Sequence, residues 1–381
     1  MIHKRTSVKI TDVVHSRIAG GANLFCAWPW TGGIHNFGNG EIVIAYTERP
    51  CTYQTTKDIE HSEHNARLVL CRTLDGGQTW PEELRQVVRD NREPFEEWIS
   101  QGGEPQSVDM TGEDAMFLFW RWRMADWSQP GRVVTFALRS TDRGYHWHMP
   151  PVIVPPHSMH SIWGSTNYLK QPDGAILAGI GGYRYGPGIG ERFGGDELAW
   201  GVGRAVLYIS KDQGLHWYCL STIAYEFDGM DTGYPALLRL PNGRLLCTVG
   251  FRASGSPCWT SVTCSDDGGR TWAEPRRIND LGDQANLCRL SDGRIVCVYG
   301  YRFVPYGIRG VVSEDDGQTW SDEFVIRSDG AGLDLGYPVV TELPDGRILT
   351  VYYFNQADDD INYQILGGGR RFIAASTFRL T

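Results

Sequence analysis

Several absences narrow this chain before any motif is read. Nowhere do 18 apolar residues run together, so no membrane-spanning helix is expected. The first dozen residues carry Lys4 and Arg5 with no apolar stretch behind them. No secretory leader is read there, and a cytoplasmic location is expected. Basic blocks and basic stripes are also missing. With 36 Lys and Arg against 45 Asp and Glu the net charge is −9, which sets nucleic acid aside as a partner. The cysteines number nine, an odd count, and no Cys-x-x-Cys occurs. Because Cys71, Cys247, Cys264, Cys288 and Cys297 fall inside predicted strands, reduced core thiols are expected, with no zinc site, no other metal and no cofactor. Amphipathic helical stretches are lacking as well. What remains is short alternating apolar runs among 46 Gly, 14 Trp and 17 Tyr, the composition of an all-β chain.

Against that background one phrase recurs five times: Ser/Thr-x-Asp-x-Gly-x-x-Trp, at Thr73 to Trp80, Ser140 to Trp147, Ser210 to Trp217, Ser265 to Trp272 and Ser313 to Trp320. This is the Asp-box. Its aspartate can accept bonds from backbone N–H groups ahead of it, its glycine tolerates positive φ, and its tryptophan wedges into a neighbouring sheet. A second phrase alternates with it, a polar turn ending in glycine followed by an apolar strand, at Gly40, Gly174, Gly243, Gly293 and Gly346, with a degenerate copy over Thr111 to Phe119. Six units result, at intervals that suit a four-stranded blade. The expected fold is therefore an all-β, six-bladed β-propeller in a single domain over residues 1–381, closed by pairing of Phe372 to Leu380 with a strand near Ser7 to Val14.

Blade geometry assigns the boxes to turns between third and fourth strands, on one face and serving as scaffold. Long loops rich in unusual residues occupy the other face, where function is expected. Counting nine residues past the turn glycine reaches the end of the second strand, and there Gly40 leads to Arg49, Gly243 to Arg252 and Gly293 to Arg302. Arg184 stands one residue off this register, and Arg121 and Arg123 flank it in the degenerate unit. Guanidinium groups repeated at a channel-facing position form a site for an anion, most naturally a carboxylate.

These motifs resemble the sialidase (neuraminidase) superfamily, whose six-bladed propellers carry Asp-boxes on one face and the active site on the other. The resemblance implies that Tyr337, nine residues before Gly346, is the nucleophile, and that Arg252 and Arg302 are two members of the family's arginine triad. Ala45 to Pro50 resembles the segment leading to the acid/base loop, which places the acid/base position near His61, among Asp58, Glu60, Glu63 and His64. The chain departs from the pattern elsewhere. Trp30 stands where the first arginine of the triad is due, and Tyr234 where the tyrosine-polarising glutamate is due, with Asp231 three residues earlier as a stand-in.

The expectation is an exo-acting glycoside hydrolase on a sialic- or uronic-acid-containing glycan or oligosaccharide. Tyr337, His61, Asp231 and Tyr234 are its candidate catalytic residues. Arg49, Arg252, Arg302, Arg184, Trp30 and His64 are candidates for substrate binding. A free tyrosine, with a pKa near 10, is a poor base, and channel arginines are expected to lower it. Tyrosine, histidine and arginine together also suit β-elimination at a uronic acid, so a uronate lyase is the alternative, and a non-catalytic glycan-binding propeller a further one.

Overall fold

The structure is a computed structural model, which describes residues 7–54, 65–123, 133–157, 159, 161–164, 167–184, 202–227, 230–252, 258–356 and 368–381. Six antiparallel sheets follow one another along the chain, preceded by strand β1 (Ile10–Ala19). Blade 1 holds β2 (Leu24–Ala27), β3 (Ile34–Asn36), β4 (Ile42–Pro50), β5 (Arg67–Thr73) and β6 (Gln86–Asp90). Blade 2 holds β7 (Met116–Arg123), β8 (Val133–Ser140) and β9 (His148–Val154). Blade 3 holds β10 (Ser161–Trp163), β11 (Tyr168–Lys170), β12 (Ile176–Arg184), β13 (Val202–Ser210) and β14 (Tyr218–Ala224). In blade 4 these are β15 (Asp231–Arg239), β16 (Leu245–Arg252), β17 (Trp259–Ser265) and β18 (Arg276–Arg277). Blade 5 has β19 (Asp283–Arg289), β20 (Ile295–Tyr301), β21 (Gly307–Ser313) and β22 (Phe324–Arg327). Blade 6 has β23 (Gly336–Glu342), β24 (Ile348–Phe354) and β25 (Phe372–Leu380), and takes β1 as its outermost strand. That pairing, which runs from Ile10↔Leu380 to Ala19↔Ile373, closes the ring as the sequence led us to expect.

The central strands are buried on both faces, so they read as unbroken apolar runs rather than strict alternation. In β4, Ile42, Ile44 and Tyr46 pack toward blade 6 while Val43 and Ala45 pack toward blade 2. Six apolar clusters of this kind occur, one at each junction between neighbouring blades. Each Asp-box follows the penultimate strand of its blade. In the fifth, Asp315 accepts from Thr319 N–H (2.8 Å), the Thr319 hydroxyl (2.6 Å) and the Ser313 hydroxyl (2.8 Å). Gly214, at φ 86°, lies so close to Phe117 that a side chain would collide with the ring, and Trp217 of the same box packs edge-on against Phe117 and Phe119 of blade 2. All nine cysteines are free.

Blade 2 departs from the four-stranded expectation: among the described residues its sheet has three strands. The stretch 104–111 that would supply the inner one contains Pro105 and mainly polar residues, which support no half-buried ladder. Its Met110 N–H bonds instead to Gln213 Oε1 of blade 3 at 2.6 Å. No helix among the described residues is long and apolar enough to cross a membrane.

Candidate active site

A recurring kink in the innermost strands creates the site. In blades 4, 5 and 6 the pairing slips by one residue near the start of the inner strand, between Gly233 and Ala236, Asp283 and Asn286, and Gly336 and Val339. At each slip a non-glycine residue takes positive φ: Tyr234 at 54°, Gln284 at 54° and Tyr337 at 51°. Trp28 in blade 1 does the same at 61°. Such conformations are uncommon for bulky residues and re-aim the side chain out of the strand's alternation. In three of the four cases proline follows, as Pro29, Pro235 and Pro338, where its missing N–H removes a donor that the slipped ladder could not pair.

The re-aimed rings meet at the strand ends opposite the boxes. Tyr337 donates its hydroxyl proton to the Tyr234 oxygen at 3.0 Å, with the two rings edge to face at 5.4 Å. Trp30 packs edge-on against Tyr234 at 5.5 Å and donates its indole N–H to the carbonyl of Ala285. Arg252 donates to the Tyr234 oxygen at 3.3 Å through Nη1 and to Asp283 Oδ2 at 2.8 Å through Nε, with a second bond from Nη2 to the same oxygen. Arg302 lies 5.3 Å over the Tyr337 ring and donates to the Leu335 carbonyl and the Tyr353 hydroxyl, both at 3.0 Å. Tyr353 donates in turn to Asp334 Oδ1 at 2.6 Å, and buried Arg371 holds the other oxygen of Asp334 at 2.9 Å.

These groups border a cavity of about 330 Å³ whose lining also includes Asp231, Trp163, Tyr183 and Arg121. Arg121 lies 4.1 Å over the Trp163 ring, which packs against Tyr183 at 5.1 Å. Asp231, at the first position of β15, accepts from Gly203 N–H at 3.0 Å. Burial raises its carboxyl to about 6, assisted by Glu226 and opposed by that N–H and by Arg252. Tyr337 contradicts the expectation that arginines would lower it. Its phenol is pushed up, because burial and the neighbouring Tyr234 outweigh the attraction of Arg252 and Arg302.

The cavity therefore brings together six of the candidate catalytic and binding residues, Tyr337, Tyr234, Asp231, Arg252, Arg302 and Trp30, along with Arg121 beside the arginine register. Arg49 is a correction. Although it shares the register of Arg252 and Arg302, it is only 3% exposed, stacks on the Phe25 ring at 4.5 Å and does not line the cavity. The second strand of blade 1 is buried through Arg49, so the same count of residues ends inside the blade. Arg184 ends β12, its backbone paired with Val202. His61 and His64, with Asp58, Glu60 and Glu63, lie outside the described residues.

Sequence reasoning missed the partners that hold the arginines: Asp283, Asp334, Tyr353 and Arg371. One signal was available, since Gly-Tyr-Pro occurs both at 233–235 and at 336–338, each tyrosine nine residues before its turn glycine. Asp283 immediately precedes the matching position of blade 5. Among the described residues no cluster of three or more His, Cys, Asp or Glu side chains is placed to hold a metal ion.

A six-bladed Asp-box ring with its cavity at the strand ends opposite the boxes defines a sialidase-like propeller. Within that class the chain belongs to the BNR repeat-like domain family, which matches residues 51–351. Its fold is similar to that of a Dyadobacter fermentans protein of unknown function, at 23% identity and TM-score 0.72, over 98% of this chain and 99% of that one. It is also similar to a Trypanosoma rangeli sialidase captured as a covalent intermediate with 2,3-difluorosialic acid, at 14% identity and TM-score 0.59, covering 97% of this chain and 59% of that one. A Fusarium graminearum α-L-arabinofuranosidase in complex with an iminosugar inhibitor aligns at 13% identity and TM-score 0.58, over 94% and 98%. Identities this low speak for the fold alone. Curated protein sequences yield no match.

Proposed function

We propose that this protein is a glycoside hydrolase that acts on the terminal residue of an acidic glycan or oligosaccharide. The observation that carries the reading is the hydroxyl pair of Tyr337 and Tyr234, held between Arg252 and Arg302 in the cavity wall. A buried phenol of raised pKa is a weak nucleophile unless its proton has somewhere to go. The Tyr234 hydroxyl relays it. As Tyr337 Oη bonds to the anomeric carbon, its proton passes along that hydrogen bond while Tyr234 releases its own proton to water in the cavity, and the two guanidinium groups stabilise the negative charge that develops on the phenol oxygens. Asp231, which holds a proton in mildly acidic solution, donates to the leaving-group oxygen. Water then releases the sugar from Tyr337.

Arg252 and Arg302 differ in what they can offer a substrate carboxylate. Arg252 is already neutralised by fully buried Asp283. Nη1 of Arg302 has no hydrogen-bond partner among the described residues, so Arg302 is the principal ligand for the anion and Arg252 the group that positions Tyr234. The test is product analysis over acidic and neutral aryl glycosides. A saturated sugar released by the wild type, with turnover abolished and binding retained in Tyr337→Phe, is expected. An unsaturated, ultraviolet-absorbing uronate would identify a lyase instead. An intact glycan that stays bound would identify a binding module.

A further inference from the structure

Five glycines line the cavity, all contributed by blades 3 and 4 and their approaches: Gly164, Gly181, Gly182, Gly203 and Gly233. Two are explained by packing. A Cβ on Gly164 would lie 2.9 Å from Thr135 Cγ2, and one on Gly203 would lie 3.0 Å from the carbonyl oxygen of Thr232. Gly181 and Gly233 are different. Each sits in a strand with backbone angles open to any residue, and a Cβ built on either meets no atom of the described residues within 4 Å. Glycine inside a strand weakens it, and its usual justification is a bulge, a turn, a tight contact or the close approach of a ligand. Gly233 borders the slip of β15, but there Tyr234 and not the glycine takes positive φ, and neither a turn nor a tight contact applies to either residue.

We infer that Gly181 and Gly233 form a side-chain-free floor on which the flat face of a six-membered sugar-acid ring lies, bounded by the Trp163–Tyr183 pair on blade 3 and by Tyr234 on blade 4. This deepens the proposed function by assigning the substrate's ring a place, and rests on that reading for the ring's carboxylate to face Arg302. The two positions stand on adjacent blades whose strands β12 and β15 already touch, since a Cβ on Gly179, two residues before Gly181, would meet the Pro235 carbonyl at 3.0 Å. Gly181 pairs with Trp163 across the sheet, and Gly233 directly precedes Tyr234, so each floor residue adjoins an aromatic wall. Aromatic flanks beside exposed peptide planes suit the C–H face of a pyranose, and exclude a ligand that needs a deep side-chain pocket at this place.

The test separates fold from ligand. Gly181→Ala and Gly233→Ala are made beside Gly203→Ala, and each is followed by thermal unfolding and by calorimetric binding of glucuronate, galacturonate and N-acetylneuraminate. Gly181→Ala and Gly233→Ala should unfold at or above the wild-type temperature, because the added methyl restricts the unfolded chain without strain in the folded one. Both should bind the sugar acid that the wild type prefers about tenfold or more weakly, the methyl now standing where the ring lies. Gly203→Ala should unfold at a lower temperature. Unchanged affinity in both floor variants, a drop in their unfolding temperature, or failure of the wild type to bind any of the three acids would overturn the inference. Binding that is lost in the floor variants while the wild type turns over no glycoside would keep the floor and sink the hydrolase reading.

Discussion

Replacing Asp231 by asparagine should make the protein more stable at neutral pH while damaging its activity. The folded carboxyl stands at about 6 against an ordinary 3.8, a gap of about two units, and at about 1.4 kcal/mol per unit this amounts to about 2 to 3 kcal/mol. The sign follows from proton binding. Between pH 4 and pH 6 the folded state keeps the proton that the unfolded state has lost, so the group's favourable contribution is complete below about pH 4 and disappears as pH rises through about 6. Asparagine imitates the protonated form, retains an oxygen for the Gly203 N–H and never ionises. Denaturant unfolding of both proteins from pH 4 to pH 7.5 should therefore give no difference at the acidic end and an advantage for Asp231→Asn of about 2 to 3 kcal/mol at the neutral end. Other titrating groups are common to both proteins and cancel. In the same variant the limb of the pH–rate profile near 6 should vanish along with most of the turnover. A stability difference that does not change with pH, or one that favours the wild type at neutrality, would refute the argument.

Three further outcomes are expected. Arg252→Ala leaves Asp283 buried without its counter-ion and should destabilise the fold by about 3 to 5 kcal/mol, much of it regained in the Arg252→Ala/Asp283→Ala pair; denaturant titration of the three variants checks this. Tyr234→Phe removes the acceptor of the Tyr337 proton and should lower kcat about a hundredfold with KM little changed, measured by steady-state kinetics. Asp315→Ala removes three hydrogen bonds from one Asp-box and should cost about 1 to 2 kcal/mol of stability, whereas turnover per folded molecule stays at the wild-type level.

The ring, its closure and the side that carries the cavity were legible because they are written in local repeats, the box and the turn glycine. Each repeat encodes hydrogen bonds within a few residues, so spacing suffices to place it. Arg252, Arg302 and Tyr337 were reached by counting along strands, which works where strand lengths are equal. The same count failed at Arg49. Register says where a residue stands in its blade and leaves unsaid whether it is buried there, and Arg49 is buried against Phe25 of its own blade. Asp283, Asp334 and Arg371 were invisible for a related reason: each is defined by a partner 31 to 37 residues away in a neighbouring strand or blade. The raised pKa of Tyr337 was missed because counting arginines measures attraction and omits desolvation, which a sequence does not display.

The seam of the ring sets the order in which the molecule can become competent during synthesis. β1 is made before the six blades and its partner β25 after the rest of them; His15 and Ser376, bonded at 2.7 Å, are 361 residues apart. Arg371, at the threshold of β25, accepts the Cys26 N–H of blade 1 on its carbonyl, donates its own N–H to Tyr53 and steadies Asp334, the acceptor of the Tyr353 hydroxyl to which Arg302 donates. A nascent chain that has already built five blades thus still lacks the clasp behind Arg302. Until residues past 371 leave the ribosome, β1 stays an open edge, a stretch that a chaperone or a second nascent chain could engage. Catalytic competence should therefore arise late and abruptly, with the pairing of β25 rather than with growth of the earlier blades.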